Sequence, residues 1–141
     1  MKAKAEVAAL QSALQAEEAA SYGYGVVGAH LSGAAFSQAT SDCVIHERAR
    51  DSLSAMITAL GATPEPAAVA YRLPLTVSTP AQAATLAVDL ELSVVAGYVP
   101  LAGAAEPSLR QLAATRMQAA AVRAARWGAP PRSFPGLSPA P

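Results

Sequence analysis

Residues 62–80, ATPEPAAVAYRLPLTVSTP, place four prolines between two alanine-rich stretches of helical period. Proline has no backbone N–H and its ring clashes with the preceding helical turn, so this segment is a connection of mostly extended backbone. Its length makes it a crossover and not a tight turn.

Before it, Val7, Leu10, Leu14, Glu17, Ser21, Tyr24, Gly28 and Leu31 recur at steps of three and four, the line that one helix face presents to a partner. His46, Ala49, Leu53, Met56 and Leu60 form a second such line, and Ser32-Gly33 and Gly61 follow the two lines as stop signals. After the crossover, Thr79 as N-cap and Pro80 at the first helical position start a third helix through Leu86, Leu90, Val94 and Leu101. A fourth carries Leu109, Leu112, Met117, Ala120 and Trp127 to Gly128.

The expected chain is all-α: helices over about 4–32, 36–60, 80–104 and 107–127 in a bundle spanning 1–128, with the crossover at 61–79. Two antiparallel hairpins joined by one long connection have the connectivity of a ferritin-like four-helix bundle. Residues 129–141 are expected as an extended Pro-rich tail that packs in part through Phe134 and Leu137.

Ten basic residues balance ten acidic ones, so no field of one sign draws nucleic acid or anionic lipid to the whole surface. No membrane span is expected either, because Asp89, Glu91 and Pro100 interrupt the most apolar stretch, 83–101. A single cysteine, Cys43, excludes an internal disulfide, and Glu6, Gln11 and Gln15 break up the N-terminal segment, which together suggest a cytoplasmic protein. Cys43 itself reads as a small packing residue.

Polar residues on core-facing lines need partners. Glu17 lies on the first line with Glu18 beside it, and His46 lies on the second. A turn near residue 34 would bring Tyr22 to the level of His46, with Asp89 and Glu91 approaching from mid-length of the third helix. The carboxylates then have three readings: a solvated edge, a buried network of ion pairs, or ligation of a metal. A di-iron or di-manganese bundle uses one Glu from each of two helices and Glu-x-x-His from each of the others. Here the second helix has Cys43-Val44-Ile45-His46 and the fourth has neither acid nor histidine, so the usual pair of ions has no ligand set.

The fourth helix instead carries Arg110, Arg116, Arg123 and Arg126. Arg116 and Arg123 are seven apart on one side, and Arg123 falls near the level of Asp89 and Glu91, where a guanidinium could neutralise carboxylates. The alternative is that these arginines extend along a solvated face. His46 reads as a satisfied core histidine or as the one group suited to proton transfer, and His30 as a helix C-terminal cap. Tyr22 and Tyr24 read as packing residues with a polar tip needing a partner, and Gly23, Gly25 and Gly28 as signs of close helix approach.

On LQSALQAEEAASYGYGVVGAHL, HERARDSLSAMITALGATPEP, AYRLPLTVSTP, AAVRAARWGAP and FPGL, the chain resembles, nearly end to end, a family of small actinobacterial proteins described as ferritin-like domains of unknown function. The resemblance implies a ferritin-like bundle and a homodimer, with no established activity, and it points to Glu17, Tyr22, His46 and Arg50 as a polar site. The family pattern often has Glu-His where this chain has Glu17-Glu18, so one potential ligand is replaced. Glu18, Glu91 and Arg123 join the site from the pattern above. The leading expectation is a metal-free structural or interaction module with no cofactor. One alternative is a metalloprotein or oxidoreductase holding a single iron, manganese or zinc ion on Glu17, His46 and Glu91. The other is a small-molecule binding bundle, with a cavity opened by the glycines near Tyr22 and Tyr24.

Overall fold

A computed structural model describes residues 2–131, so Phe134 and Leu137 lie outside the described residues. Four helices account for most of it: α1 (Lys2–Ala29), α2 (Gly33–Ala59), α3 (Pro80–Ala102) and α4 (Pro107–Arg126). The chain is an all-α four-helix bundle. Contacts Ser12 to Gly97 and Gly23 to Leu90 run α3 antiparallel to α1, and Tyr24 to Asp42 and Glu17 to His46 do the same for α2. α2 and α3 are therefore parallel, and the connection must travel the length of α2, about 40 Å at helical rise.

The crossover makes that journey along α1. The Gln11 amide clamps it, donating to the Thr63 carbonyl at 2.8 Å and accepting from the Glu65 N–H at 2.9 Å. Tyr71, Leu73, Leu75 and Val77 then alternate half-buried with exposed neighbours, the period-two pattern of extended backbone lying on a surface. Thr79 closes the path with a capping box: its hydroxyl accepts from Gln82 N–H while the Gln82 side chain accepts from Thr79 N–H.

The stops differ in kind. Gly61 (φ 79°) and Gly128 (φ 109°) take the left-handed conformation after α2 and α4. Each helix ends with paired bonds from the glycine N–H and the next N–H back into the last turn. Gly33 was expected to close the first helix but instead opens α2 at φ 60°, and α1 ends earlier, at Ala29. Ser32, with extended backbone, is the N-cap of α2, and His30 Nδ1 bonds the Val26 carbonyl at 3.0 Å at the α1 end.

α1 and α3 meet closely at a glycine. A Cβ at Gly97 would fall 2.4 Å from Ala16 Cβ, and Ser12 donates to the Gly97 carbonyl at 3.0 Å, so glycine is the residue that lets these backbones meet. The core divides in two. Leu10, Leu14, Leu53, Ile57, Val94 and Leu101 fill one half; Tyr24, Val27, Ala39, Leu86 and Leu90 fill the other. α3 has the length and apolarity of a membrane-crossing helix, and it spends that apolar surface on both halves of this core.

Candidate functional site

Between the two apolar halves lies a polar layer to which every helix contributes. Glu17, His46 and Glu91 are 0–1% exposed and Arg123 is 7% exposed. Charges so deeply buried persist only when paired and hydrogen-bonded. His46 Nδ1 donates to Glu17 Oε2 at 2.5 Å, and Nε2 donates to Glu91 Oε1 at 2.5 Å. Two acceptor carboxylates on the two ring nitrogens require two N–H donors, hence the imidazolium. Burial opposes that charge, but the hydrogen bonds to Glu17 and Glu91 and their negative charge outweigh it, and the pKa of His46 is raised to about 9.

The outer oxygens are occupied as well. Tyr98 donates to Glu17 Oε1 at 2.7 Å and itself accepts from Arg116 at 3.1 Å. Arg123 Nε reaches both oxygens of Glu91 at 2.9 Å, a single nitrogen shared between them and not the two-nitrogen fork of a bidentate pair. Two carboxylates thus face one imidazolium and one guanidinium, and the innermost layer is neutral. Burial and the neighbouring Glu17 hold the Tyr98 hydroxyl in its neutral form, well above its ordinary pKa.

One turn away, Tyr24 lies over the imidazole, and its hydroxyl points at Asp42 Oδ2 at 3.5 Å. Trp127 Nε1 donates to the same oxygen at 2.9 Å, tying α2 to the end of α4.

The structure brings together Glu17, His46, Glu91 and Arg123, and places the other candidates elsewhere. Tyr22 is 38% exposed and packs against Tyr71 of the crossover, ring centroids 5.5 Å apart; Tyr24 takes the position beside His46. Arg50 bonds its neighbour Asp51 at 2.9 Å on the surface. Glu18 turns toward the crossover, where burial raises its pKa, Arg50 lowers it and Glu65 adds to the rise. Asp89 makes no hydrogen bond among the described residues and stands a helical step away from the inward-facing Glu91. Tyr98 and Asp42 also join the layer, and the sequence pattern alone does not mark either as part of it. Tyr98 continues the line from Val94 to Leu101, and Asp42 stands four residues before His46 on one face of α2. Cys43 is half-buried, its thiol pushed up to about 11 by burial and by Glu47, which suits a packing residue.

The Glu17, His46 and Glu91 donors do not fit a single ion. Imidazole nitrogens point away from one another, so carboxylates bonded to both stand at opposite edges of the ring. An ion about 2.0–2.2 Å from one nitrogen would have the second carboxylate behind the ring. No cluster of three or more His, Cys, Asp or Glu side chains converges as a cation site among the described residues. The glycines near Tyr24 do border an open groove of about 410 Å³, with Gly25, Gly28, Phe36 and Cys43 among its walls.

A four-helix bundle with one full-length crossover and a self-neutralised polar layer is the class of protein this geometry defines. Residues 9–139 match the family described as Domain of unknown function (DUF4439), and the chain belongs to it. It is similar to a solved structure, the crystal structure of a conserved hypothetical protein, rv2844, from Mycobacterium tuberculosis, with 35% identity and a TM-score of 0.83 over 88% of this chain and 95% of that one. No curated protein matches.

Proposed function

We propose that this chain is a metal-free ferritin-like bundle with a structural or interaction role, in which the His46 imidazolium and Arg123 stand where cations stand in the metal-bearing members of that architecture. The observation that carries this reading is the mutual engagement of both His46 nitrogens with carboxylates whose remaining oxygens are held by Tyr98 and Arg123. The two hairpins, the crossover and the polar layer, midway along α1, α2 and α3 and joined by Arg123 from the last turn of α4, support the ferritin-like assignment. A buried ionic layer adds little net stability over an apolar one, but it specifies register, since sliding one helix by a turn of about 5.4 Å would strand charges in the core.

A homodimer in the cytoplasm belongs to the same proposal. The lone Cys43 suits a reducing compartment, and the groove edged by Gly25, Gly28 and exposed Phe36 offers a small-residue helix face for close approach of a second copy.

Elemental analysis of protein purified without chelator tests the central claim. Iron, manganese and zinc are expected well below one per chain, unchanged in His46→Ala. A stoichiometric ion lost from His46→Ala would overturn the proposal in favour of a mononuclear centre.

A further inference from the structure

α4 carries four arginines and no acidic residue, so a chain of zero net charge concentrates positive charge along one helix. Of these four, only Arg123 pairs with a carboxylate among the described residues, that of Glu91. That pairing uses Nε, and neither terminal nitrogen of Arg123 donates to a protein acceptor among the described residues. Arg123, 9% of whose side chain is exposed, links the buried layer to the surface between α2 and α4, whose backbones do not pack closely.

At that surface lies an open groove of about 340 Å³, in the size range of small-ligand sites. Arg123, Arg126 and Gln118 supply donors, while Ile45 from α2 faces Ala119 and Val122 from α4. Ile45 and Val122 are 42% and 52% exposed, large apolar side chains on opposite banks of one groove. The free end of a guanidinium is a planar two-nitrogen fork that matches an oxyanion. Its Nε is fixed by Glu91, so the fork is held in place before any ligand arrives, which lowers the entropic cost of binding.

We infer that the α2–α4 groove is a binding site for a small aliphatic monocarboxylate, its carboxylate on the Arg123 fork with Arg126 at the rim and its hydrocarbon between Ile45 and Val122. Binding there would act on the polar layer, because the ligand and Glu91 share one guanidinium.

Titration of the full-length, isotope-labelled chain with hexanoate, followed by NMR, tests this. Hexanoate is expected to shift the Ile45 and Val122 methyls and the Arg123 side-chain nitrogens together and saturably. Arg126→Gln should weaken binding roughly tenfold, the worth of one charge-assisted hydrogen bond. Ile45→Glu, which leaves the buried layer intact and sets a carboxylate opposite Arg123, should abolish it. Hexanol should leave Arg123 unmoved, and inorganic phosphate should move Arg123 and Arg126 without the methyls. Equal affinity for phosphate and hexanoate, equal methyl shifts with hexanol, or hexanoate shifts spread evenly over Arg48 and Arg110 would each overturn the assignment. So would methyl shifts that follow protein concentration instead of ligand, which would make the groove a contact between copies.

Discussion

Tyr24 stacks on His46, ring centroids 5.4 Å apart and planes inclined by 20°. An aromatic face at that distance attracts a cation, so the imidazolium is held by carboxylates at its edges and by a π-face above. The same phenol ring leans on Trp127, 6.4 Å away, which binds Asp42. Pairs seven residues apart build the layer on three helices: Glu17 and Tyr24, Glu91 and Tyr98, Arg116 and Arg123. Seven residues return a side chain to nearly the same helix face two turns on, so each helix presents one inner and one outer member of a single polar stack.

The raised pKa of His46 makes stability depend on pH with a definite sign. The folded value of about 9 exceeds the ordinary 6.5, so the native state holds this proton more tightly than the unfolded chain does. The resulting stabilisation is complete below about pH 6.5 and is lost as pH rises through about 9, by up to about 3 kcal/mol if the shift is realised in full. Thermal melts at constant ionic strength should show Tm falling between pH 7 and 9.5. The slope between pH 7 and about 8.5, below the range in which the raised Cys43 thiol contributes, should vanish in His46→Gln. A slope that persists in the variant, or a His46 resonance titrating near 6.5, would refute the bridging imidazolium.

Glu91 is the shared acceptor of His46 and Arg123, and its removal strands two cations. Glu91→Gln should cost about 3–5 kcal/mol, the range for breaking a buried pair from one side. Glu91→Leu combined with Arg123→Leu removes one charge of each sign and should recover much of that loss. Urea melts of the single variants and the double variant give the coupling. Additive losses would show that the pair is solvated in solution.

Glu17 and His46 are legible in the sequence because each stands on an otherwise apolar helical line, whereas Glu91 and Arg123 are placed by the levels that the hairpin turns set. The helix stops were legible where glycine plays one role, as at Gly61 and Gly128. They were not at Gly33, whose left-handed backbone serves equally to end one helix or begin the next. Level alone puts Tyr22 beside His46, but two residues on a helix are about 200° apart, and Tyr24, on the core-facing line, holds that place. Arg50, which the resemblance implies for the site, stands at the surface for a local reason: Asp51 beside it offers a partner. The shared oxygen of Asp42 has no sequence signal, because it depends on where the end of α4 meets α2.

Two glycines of similar helical context should respond oppositely to alanine. At Gly25 a Cβ would meet nothing within 4 Å, so Gly25→Ala should stabilise by about 0.5–1 kcal/mol through helix propensity. At Gly97 the added carbon would lie 2.4 Å from Ala16 Cβ and 3.3 Å from the Ser12 carbonyl. Both are rigid parts of a helix. Gly97→Ala should destabilise by about 1–3 kcal/mol despite the same propensity gain, and Ala16→Gly should partly rescue it. A Gly97→Ala variant as stable as the parent would mean that α1 and α3 sit farther apart.

Trp127 is the only tryptophan, so its fluorescence reports on the junction of α2 with the end of α4. Its indole donates to an Asp42 carboxylate that is 3% exposed. Asp42→Ala leaves the half-buried N–H without that partner and should destabilise by about 1–3 kcal/mol. Trp127→Phe loses the hydrogen bond while keeping most of the ring, and strands the carboxylate in turn, so its loss should be similar. Because the two substitutions remove one contact, the double variant should cost less than their sum. Emission should shift in Asp42→Ala and remain unchanged in Tyr22→Phe, whose ring faces the crossover. If instead the fluorescence of Asp42→Ala matches the parent and the losses are additive, Trp127 and Asp42 do not meet, and the tie between α2 and α4 rests on the buried layer alone.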